Sequence, residues 1–387
     1  MQIMRIRPFR TLYIDWLVVV TMLGLYVFTT ASCTGGQSKD ATNEGGTQHE
    51  SVVLATQGSF AFGGTVVTGE NGDTFHGDHG YVQYQIPPDA RQYPLVMWHG
   101  GGQFSKTYET TPDGRDGYQN IFLKRGFSTY IIDQPGRGRA GRTTTGITVP
   151  DADFGEADLF TIFRLGVWTP PSPPQFFPGV QFSQDKDSLD QYFRQITPDT
   201  GSHLRSGGVT GVGTGATIAT DAVTALFDMI GPAVLITHSA SGILGWQTAL
   251  KSDNVRAIIS YEPTVFLTPE GDPSPPPGFS DAIPVSRDQF ERLTEIPIQI
   301  VFGDNIATEL TGVFGIDLWV RSVPAAEAFV ETIKAHGGDI EILRLPDAGL
   351  SGNTHFPFSD LNNLEVANLL SDYLNNKGLD KPGANSQ

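Results

Sequence analysis

A serine in a short turn between two apolar segments is the residue of this chain best suited to nucleophilic chemistry. The apolar run 233–237 leads into the turn THSASG (237–242), and a stretch compatible with a helix follows. A strand, a sharp turn and a helix form a nucleophile elbow, in which small residues two positions before and after the nucleophile let the two backbones approach. Thr237 and Ser241 stand where glycines are usual. Despite that departure, the pattern predicts Ser239 as a nucleophile.

A serine hydroxyl needs a general base, and histidine is the usual one. The chain has eight histidines, of which only His336 and His355 follow Ser239. In proteins with such an elbow the base comes last in the chain. His336 falls at the end of a predicted helix, where a cation favours the helix dipole, so a structural role accounts for it. His355 falls in the loop SGNTHFPFSD (351–360), between the last predicted strand and the last helix, and is therefore the predicted base.

The base needs a carboxylate to fix its tautomer, and two acidic residues compete for this role. Glu262 directly follows the apolar run 257–261, and Asp304 comes soon after the run 298–302. Both would lie at the end of a strand. The spacing alone does not decide whether Glu262 or Asp304 is the acid.

A glycine-rich turn could supply backbone donors for a developing oxyanion. The predicted strand 95–98 ends in His-Gly-Gly-Gly-Gln (99–103). Backbone without side chains can come close to a substrate carbonyl. We expect one N–H group from Ala240, directly after the nucleophile, and the other from Gly101, with Gly102 as the alternative.

Alternating strands and helices must position these residues. Predicted strands occupy 81–86, 95–98, 128–132, 233–237, 257–261, 298–302 and 340–345, and predicted helices occupy 324–336 and 364–374. In the first helix, Ser322 is the expected cap, Pro324 lies in the first turn, and Gly337 ends the helix. This alternation predicts an α/β fold with a mostly parallel central sheet and helices on both faces. The interval of about 143–215 lacks a clear strand and is predicted to be a cap insertion, whose aromatic residues suggest a small core of its own.

Composition excludes several classes of protein. The formal net charge of −17 argues against binding to nucleic acid, whose phosphates repel an acidic surface. A single cysteine excludes a disulfide framework and a thiolate-bound metal cluster within one chain. Apolar residues make up 39% of the chain and aromatic residues 10%, enough for a large core. No residue pattern implies a metal or a cofactor.

The first part of the chain resembles an export signal. Arg5, Arg7 and Arg10 precede an apolar run (16–28), which small residues and Cys33 follow. This order predicts a signal peptide over 1–32, a flexible tether over 33–50 and a folded domain over 51–380. Ala-Ser-Cys resembles the end of a bacterial lipobox, although Thr30 replaces the usual aliphatic residue. We expect membrane attachment through acylated Cys33; simple cleavage near Ala31 and an uncleaved anchor are the alternatives.

Several segments together resemble one known family. The chain is similar to the serine esterases of the α/β-hydrolase fold, and among them to secreted bacterial esterases with a vicinal disulfide beside the oxyanion hole. The matching segments are YVQYQIP (81–87), ETTPDGR (109–115), RGFSTYIIDQPGRGR (125–139), IFR (162–164), HSASG (238–242), YEP (261–263), VFGD (301–304), NTH (353–355) and NNLEVANLL (362–370).

The resemblance implies roles for individual residues. It implies Ser239 as nucleophile, His355 as base and Glu262 as the acid, which leaves Asp304 as a turn residue. The two cysteines of the family's disulfide correspond to Gly101 and Gly102, so this chain lacks that disulfide, while the backbone donor at Gly101 needs no sulfur. Four charged residues in the matched segments are interpreted as forming ion pairs that fix loops, with contact to substrate as the alternative: Arg115, Asp133, Arg137 and Arg139.

The predicted function is hydrolysis of a small-molecule carboxylic ester through an acyl-enzyme intermediate. The same residues could serve acyl transfer or the hydrolysis of amides or thioesters. A surface binding protein without activity is another alternative, although such a protein has no need for an intact triad and glycine turn. A phosphate-binding loop at Gly-Val-Gly-Thr-Gly (211–215) is disfavoured because no predicted strand precedes it and the full spacing is missing.

Overall fold

The structure, a computed structural model, describes residues 51–141, 143–144, 154–198, 200 and 211–383. The predicted signal peptide (1–32), the tether (33–50) and Cys33 lie outside the described residues. None of the described helices combines the length and the apolar character needed to cross a membrane.

Fourteen strands are found in the described part of the chain. Strands β1 to β14 are, in chain order, Thr56–Phe62, Thr65–Thr68, Thr74–Gly77, Gly80–Ile86, Leu95–Trp98, Thr129–Asp133, Gly166–Val167, Gln175–Phe176, Ala233–His238, Val255–Tyr261, Leu267–Pro269, Ile283–Val285, Ile298–Phe302 and Ile340–Arg344. Helices α1 to α9 are Lys106–Glu109, Tyr118–Lys124, Glu156–Ile162, Lys186–Arg194, Thr214–Ile230, Ser241–Ala249, Arg287–Glu291, Phe314–Ala335 and Asn363–Asn376, and two 3-10 helices cover Arg292–Glu295 and Leu345–Ala348.

Eight of these strands form one sheet in the order β1-β4-β6-β5-β9-β10-β13-β14. Six strands (β6, β5, β9, β10, β13 and β14) are parallel to one another, whereas β4 is antiparallel to both β1 and β6. The carboxyl ends of parallel strands meet at one edge of a sheet, so the segments that follow β5, β9, β10, β13 and β14 come together there. The predicted α/β fold with a mostly parallel sheet is confirmed.

Helices cover both faces of the sheet. Along β5, Val96 and Trp98 belong to one hydrophobic cluster, together with α5, α6 and the second half of α8. Leu95 and Met97 belong to a second cluster, together with α2 and α9. Successive side chains of a strand point to opposite faces. The near-continuous apolar runs in the sequence therefore reflect strands that are buried on both sides.

Helix α8 is longer than its sequence pattern indicates. It begins at Phe314, so Pro324 lies in its interior, and the prediction that Ser322 caps a helix starting at Pro324 is wrong. The Ser322 hydroxyl instead donates to the carbonyl of Leu318 within the helix, at 2.7 Å. The end is as predicted: the helix stops at Ala335, and Gly337 follows with φ +88°.

The interval predicted as a cap contains helices α3 and α4 and the short strands β7 and β8. Its buried aromatic side chains do not form a core of their own. Phe160, Phe163, Phe182 and Tyr192 belong to the same hydrophobic cluster as α2 and α9. This segment is therefore packed onto one face of the sheet, next to the loops that follow the strands.

Candidate active site

Ser239 lies in the turn between β9 and α6, in the backbone conformation that an elbow requires. Its φ is +52°, a left-handed value that is rare for residues other than glycine. Its N–H donates to the carbonyl of Tyr261 at 2.8 Å, which ties the turn to the end of β10. The Ser241 hydroxyl accepts the N–H of His238 at 2.9 Å. Ser241, which replaces the usual glycine, thus stabilises the turn through this hydrogen bond.

The close approach that the elbow needs is provided further along the chain. A Cβ atom at Gly242 would lie 2.8 Å from Cβ of Pro263, and one at Gly245 would lie 2.6 Å from Cγ2 of Thr237. Helix α6 therefore packs against the sheet through these two glycines. Thr237 also donates its hydroxyl to Ser260 on β10 at 2.8 Å. These contacts explain how the turn tolerates both departures from the usual motif.

His355 lies in the loop between β14 and α9 and is buried. Its Nδ1 is 3.4 Å from Oε2 of Glu262, longer than the about 2.7–3.2 Å of a typical N–H···O hydrogen bond. Rings of Trp319 and His238 lie at centroid distances of 4.5 Å, and Phe163 stacks on it at 5.4 Å. Among the described residues no hydrogen bond joins the Ser239 hydroxyl to this ring. Such bonds commonly tighten only in the Michaelis complex.

Glu262 directly follows β10 and is fully buried. Its Oε1 accepts hydrogen bonds from Nη2 of Arg164 at 2.6 Å and from the N–H of Gly303 at 2.5 Å, while Oε2 faces His355. Burial acts to raise the pKa of Glu262, but the charge of Arg164 and the hydrogen bond to His355 outweigh it and hold the pKa below its ordinary value. The carboxyl group is therefore ionised at neutral pH.

The imidazole is neutral at the same pH. Burial lowers the pKa of His355 below 6.5, and the charge of Arg164 acts in the same direction, whereas Glu262 opposes both. A neutral imidazole with Nδ1–H directed at a carboxylate leaves Nε2 free to accept a proton. The pair has the charge state that a general base requires.

Asp304, the competing acid, forms no hydrogen bond or ion pair with His355 among the described residues. Its Oδ1 accepts the N–H of Asn305 and its Oδ2 accepts the N–H of Gly352, both at 2.7 Å. Its own N–H donates to the carbonyl of Asn353 at 2.9 Å. Asp304 thus stabilises the loop that contains His355.

The four charged residues interpreted as loop-fixing make such contacts. Arg115 donates to the carbonyl of Asp360 and to Oδ1 of Asn363, beyond His355 in the chain. Arg137 donates to the carbonyl of Thr197 at 2.8 Å. Asp133 accepts the N–H of Ser105 at 2.6 Å and pairs with Nε of Arg139 at 3.2 Å. These contacts join loops to one another and to Asp133 at the end of β6.

The predicted backbone donors lie next to each other. A Cβ atom at Gly101 would lie 3.4 Å from Cβ of Ala240, and one at Gly100 would lie 3.2 Å from Cβ of Ser239. Among the described residues no backbone hydrogen bond uses the N–H of Gly101 or Ala240. The assignment of these two N–H groups as donors to an oxyanion remains a prediction.

Three consecutive residues at the end of α3 and directly after it contact the site residues, and no role was predicted for them from the sequence. The carbonyl of Ile162 accepts Nε1–H of Trp319 at 2.6 Å. The carbonyl of Phe163 accepts the N–H of His355 at 3.0 Å. Arg164 binds Glu262, and its Nε donates to the carbonyl of Asp304 at 2.8 Å. The only sequence signal was the tripeptide IFR among the matched segments.

Strained backbone is concentrated at this site. Six described residues other than glycine have positive φ, and four of them are Arg164, Ser239, Glu262 and Asn305, at +58°, +52°, +55° and +59°. Left-handed conformations cost about 1–3 kcal/mol each and persist where the surrounding structure enforces them, which is common at functional sites. The described residues contain no cluster of side chains that could hold a metal ion.

Comparison with known proteins identifies similar chains. No protein-family model matches the sequence. The chain is 28% identical over 325 residues to a probable secreted lipase from a fungus (Fungal sp., strain ATCC 74256), and the match covers 76% of this chain and 85% of that one. A solved structure described as that of a novel bacterial esterase is 30% identical, with a TM-score of 0.67, and the match covers 86% of this chain and 99% of that one.

Proposed function

Because the chain belongs to the esterases of the α/β-hydrolase fold and hydrolyses carboxylic esters, we propose that Ser239, His355 and Glu262 form its catalytic triad. The observation that carries the proposal is the buried Glu262–His355 pair, which lies at the same edge of the sheet as the elbow of Ser239. The carboxylate of Asp304 accepts hydrogen bonds from the backbone N–H groups of Asn305 and Gly352, which supports Glu262 as the acid.

In the first half of the reaction, Oγ of Ser239 attacks the ester carbonyl while Nε2 of His355 takes the hydroxyl proton. A C–O bond forms, and the carbonyl electron pair moves onto oxygen. Glu262 accepts the hydrogen bond from Nδ1–H and stabilises the imidazolium. His355 then gives its proton to the alcohol oxygen as the bond to the leaving group breaks, which leaves an acyl-enzyme on Ser239.

In the second half, water replaces the alcohol. His355 takes a proton from the water, whose oxygen attacks the acyl carbon. Collapse of this second tetrahedral intermediate returns the proton to Oγ of Ser239 and releases the carboxylic acid. The N–H groups of Gly101 and Ala240 stabilise the negative oxygen in both halves; loss of one such donor typically reduces kcat by about 100- to 1,000-fold.

The domain organisation and the export of the protein are part of the proposal. We propose a signal peptide over 1–32, a tether over 33–50 and a hydrolase domain over 51–380 with an insertion at about 143–215. The described residues from Ser51 onward form one compact unit, and the similar fungal chain is described as secreted; both support this division. The proposed membrane attachment is through acylated Cys33, and mass spectrometry of the mature N-terminus tests it by the presence or absence of lipid on that residue.

Active-site labelling tests the catalytic assignment. A fluorophosphonate probe reacts with an activated serine, so it should label the purified protein and leave the variant Ser239→Ala unlabelled. Ser286→Ala is a matched control, because Ser286 caps helix α7 and should not affect labelling. Hydrolysis of p-nitrophenyl butyrate should follow the same pattern. Labelling of Ser239→Ala at the level of the unaltered protein contradicts the assignment.

A further inference from the structure

A cavity of about 270 Å³ lies beside the Glu262–His355 pair and has no part in the proposed reaction. Trp319 lines this cavity, and the centroid of its indole lies 4.5 Å from that of the His355 imidazole. Arg164, which binds Glu262, lines the same cavity. The cavity is thus one side chain away from the base and the acid.

The walls of the cavity are mainly apolar, with two buried donors that lack partners. Phe177, Ile306 and Ile316 are among the apolar lining residues. Nη1 of Arg164 and Nδ2 of Asn305 are enclosed and have no hydrogen-bond partner. A buried donor without a partner costs about 1–3 kcal/mol, and such groups call for a specific explanation, such as a ligand. Two such groups on residues that line one apolar cavity point to a ligand that supplies an acceptor.

The backbone supports a binding role for Asn305. It has φ +59°, the same left-handed conformation as Ser239 and Glu262. Its N–H is bound by Asp304, which fixes the start of the loop after β13. The chain therefore holds the Asn305 side chain at this cavity through a strained backbone, as it holds Ser239 and Glu262.

The charge of Arg164 selects the kind of acceptor. Glu262 already compensates this charge across a 2.6 Å contact in which both side chains are buried. A carboxylate in the cavity would add a second negative charge that nothing there compensates, which is costly in a buried site. A carbonyl oxygen accepts the same hydrogen bonds without that cost.

We propose that this cavity binds a small, uncharged, mainly apolar molecule through its carbonyl oxygen, which accepts hydrogen bonds from Arg164 Nη1 and Asn305 Nδ2. The size of the cavity, slightly under the about 300–1,000 Å³ of typical ligand sites, suits a ligand with one ring or a short chain. Because neither nitrogen has exposed surface, the proposed binding includes a shift of both side chains that turns these nitrogens toward the cavity. The proposal does not depend on the catalytic assignment.

Calorimetric titration of three matched probes tests the proposal. The probes are acetophenone, which has the carbonyl; benzoate, which has the charge; and ethylbenzene, which has neither. The protein carries Ser239→Ala, so the measurement reports binding alone and stays valid even if the proposed triad is wrong. Acetophenone should bind at least about tenfold more tightly than either other probe, as one or two additional hydrogen bonds predict.

Variants in the loop after β13 test whether the probes bind in this cavity. Asn305→Gly keeps the left-handed backbone and removes the amide, so it should weaken acetophenone binding about tenfold and leave ethylbenzene unchanged. Ala307→Phe fills the cavity and should abolish binding of acetophenone. Glu309→Gln is the control, because Glu309 is exposed in the same loop and does not line the cavity. Benzoate binding more tightly than acetophenone, equal binding of ethylbenzene, or acetophenone binding unaffected by both Asn305→Gly and Ala307→Phe overturns the proposal.

Discussion

The guanidinium of Arg164 and the carboxylate of Glu262 form an ion pair whose Nη2–Oε1 distance is 2.6 Å, with both side chains buried. Arg164 also packs its guanidinium over the ring of Trp319, 4.6 Å from the centroid. This cation holds the pKa of Glu262 low and contributes to the low pKa of His355. Arg164 is therefore a positioning residue for the proposed triad, because it acts on the base through the acid.

Replacement of Arg164 should affect stability and activity in separable ways. Arg164→Met leaves the Glu262 carboxylate buried without its partner, so the free energy of unfolding should fall by about 3–5 kcal/mol, measured by urea denaturation. The double variant Arg164→Met/Glu262→Gln removes both charges and should regain much of that loss without regaining activity. If Arg164→Met is as stable as the unaltered protein, the ion pair does not have this role.

The two acids should differ sharply when each is replaced by its amide. Glu262→Gln removes the charge that stabilises the imidazolium, so kcat should fall by about two to four orders of magnitude. Asp304→Asn changes only hydrogen bonds to loop backbone and should lower kcat less than about tenfold. Steady-state kinetics with p-nitrophenyl butyrate measure both. Equal losses contradict the choice of Glu262.

Activity should disappear on the acid side of neutrality. The base works only when His355 is neutral, and its pKa lies below 6.5 because of burial, so kcat/KM should stay high down to about pH 6.5 and fall as the pH drops through this lower pKa. In Glu262→Gln the opposing effect of the carboxylate is lost, and the midpoint should move to still lower pH.

The free energy of unfolding should also decrease as the pH falls, as kcat/KM does. Since the folded protein holds His355 with a lowered pKa, its contribution to the free energy of unfolding is present above about pH 6.5 and is lost as the pH falls through the folded pKa. The contribution of Glu262 to the free energy of unfolding is likewise present above about pH 4.5 and is lost as the pH falls through its lowered folded pKa. If kcat/KM falls with a midpoint above pH 6.5, the lowered pKa of His355 as the proposed base is contradicted.

Neighbouring glycines in the turn after β5 should respond differently to alanine. A Cβ atom at Gly100 would lie 2.6 Å from Nδ1 of His238, which is too close, and would displace the elbow. A Cβ atom at Gly101 meets only Ala240, at 3.4 Å. Gly100→Ala should therefore lower kcat/KM by about 100-fold, and Gly101→Ala by less than about tenfold. Similar losses in both variants contradict a backbone role for Gly101.

Some elements of the fold could be predicted because their physical signature is local. Strands β5 and β13 match the predicted bounds, since both are short apolar runs between turn residues. Strand β1 was missed because it is an edge strand with mostly exposed or half-buried residues and thus no apolar run. Helix α8 was predicted ten residues too short, because Pro324 resembles a helix start, whereas here it lies inside a helix that packs against both hydrophobic clusters.

The same distinction applies to the site. Ser239, Glu262 and His355 follow strands and have chemically distinctive side chains, so chain order and a resemblance could bring them together. Arg164 could not be found in this way, because its contacts with Glu262 and Asp304 span 98 and 140 residues of the chain. Only the folded chain places a buried cation against the predicted acid.

The four left-handed residues at this edge of the sheet also limit how far the enzyme can be stabilised. At about 1–3 kcal/mol each, their strain is comparable to the about 5–15 kcal/mol net stability of a typical protein. Glycine would relieve it, but at Ser239 and Glu262 it would remove the side chains on which the proposed chemistry depends. Substitutions that raise thermal stability must therefore be made at other positions. The same requirement for the side chains of Ser239 and Glu262 limits natural selection for a more stable fold.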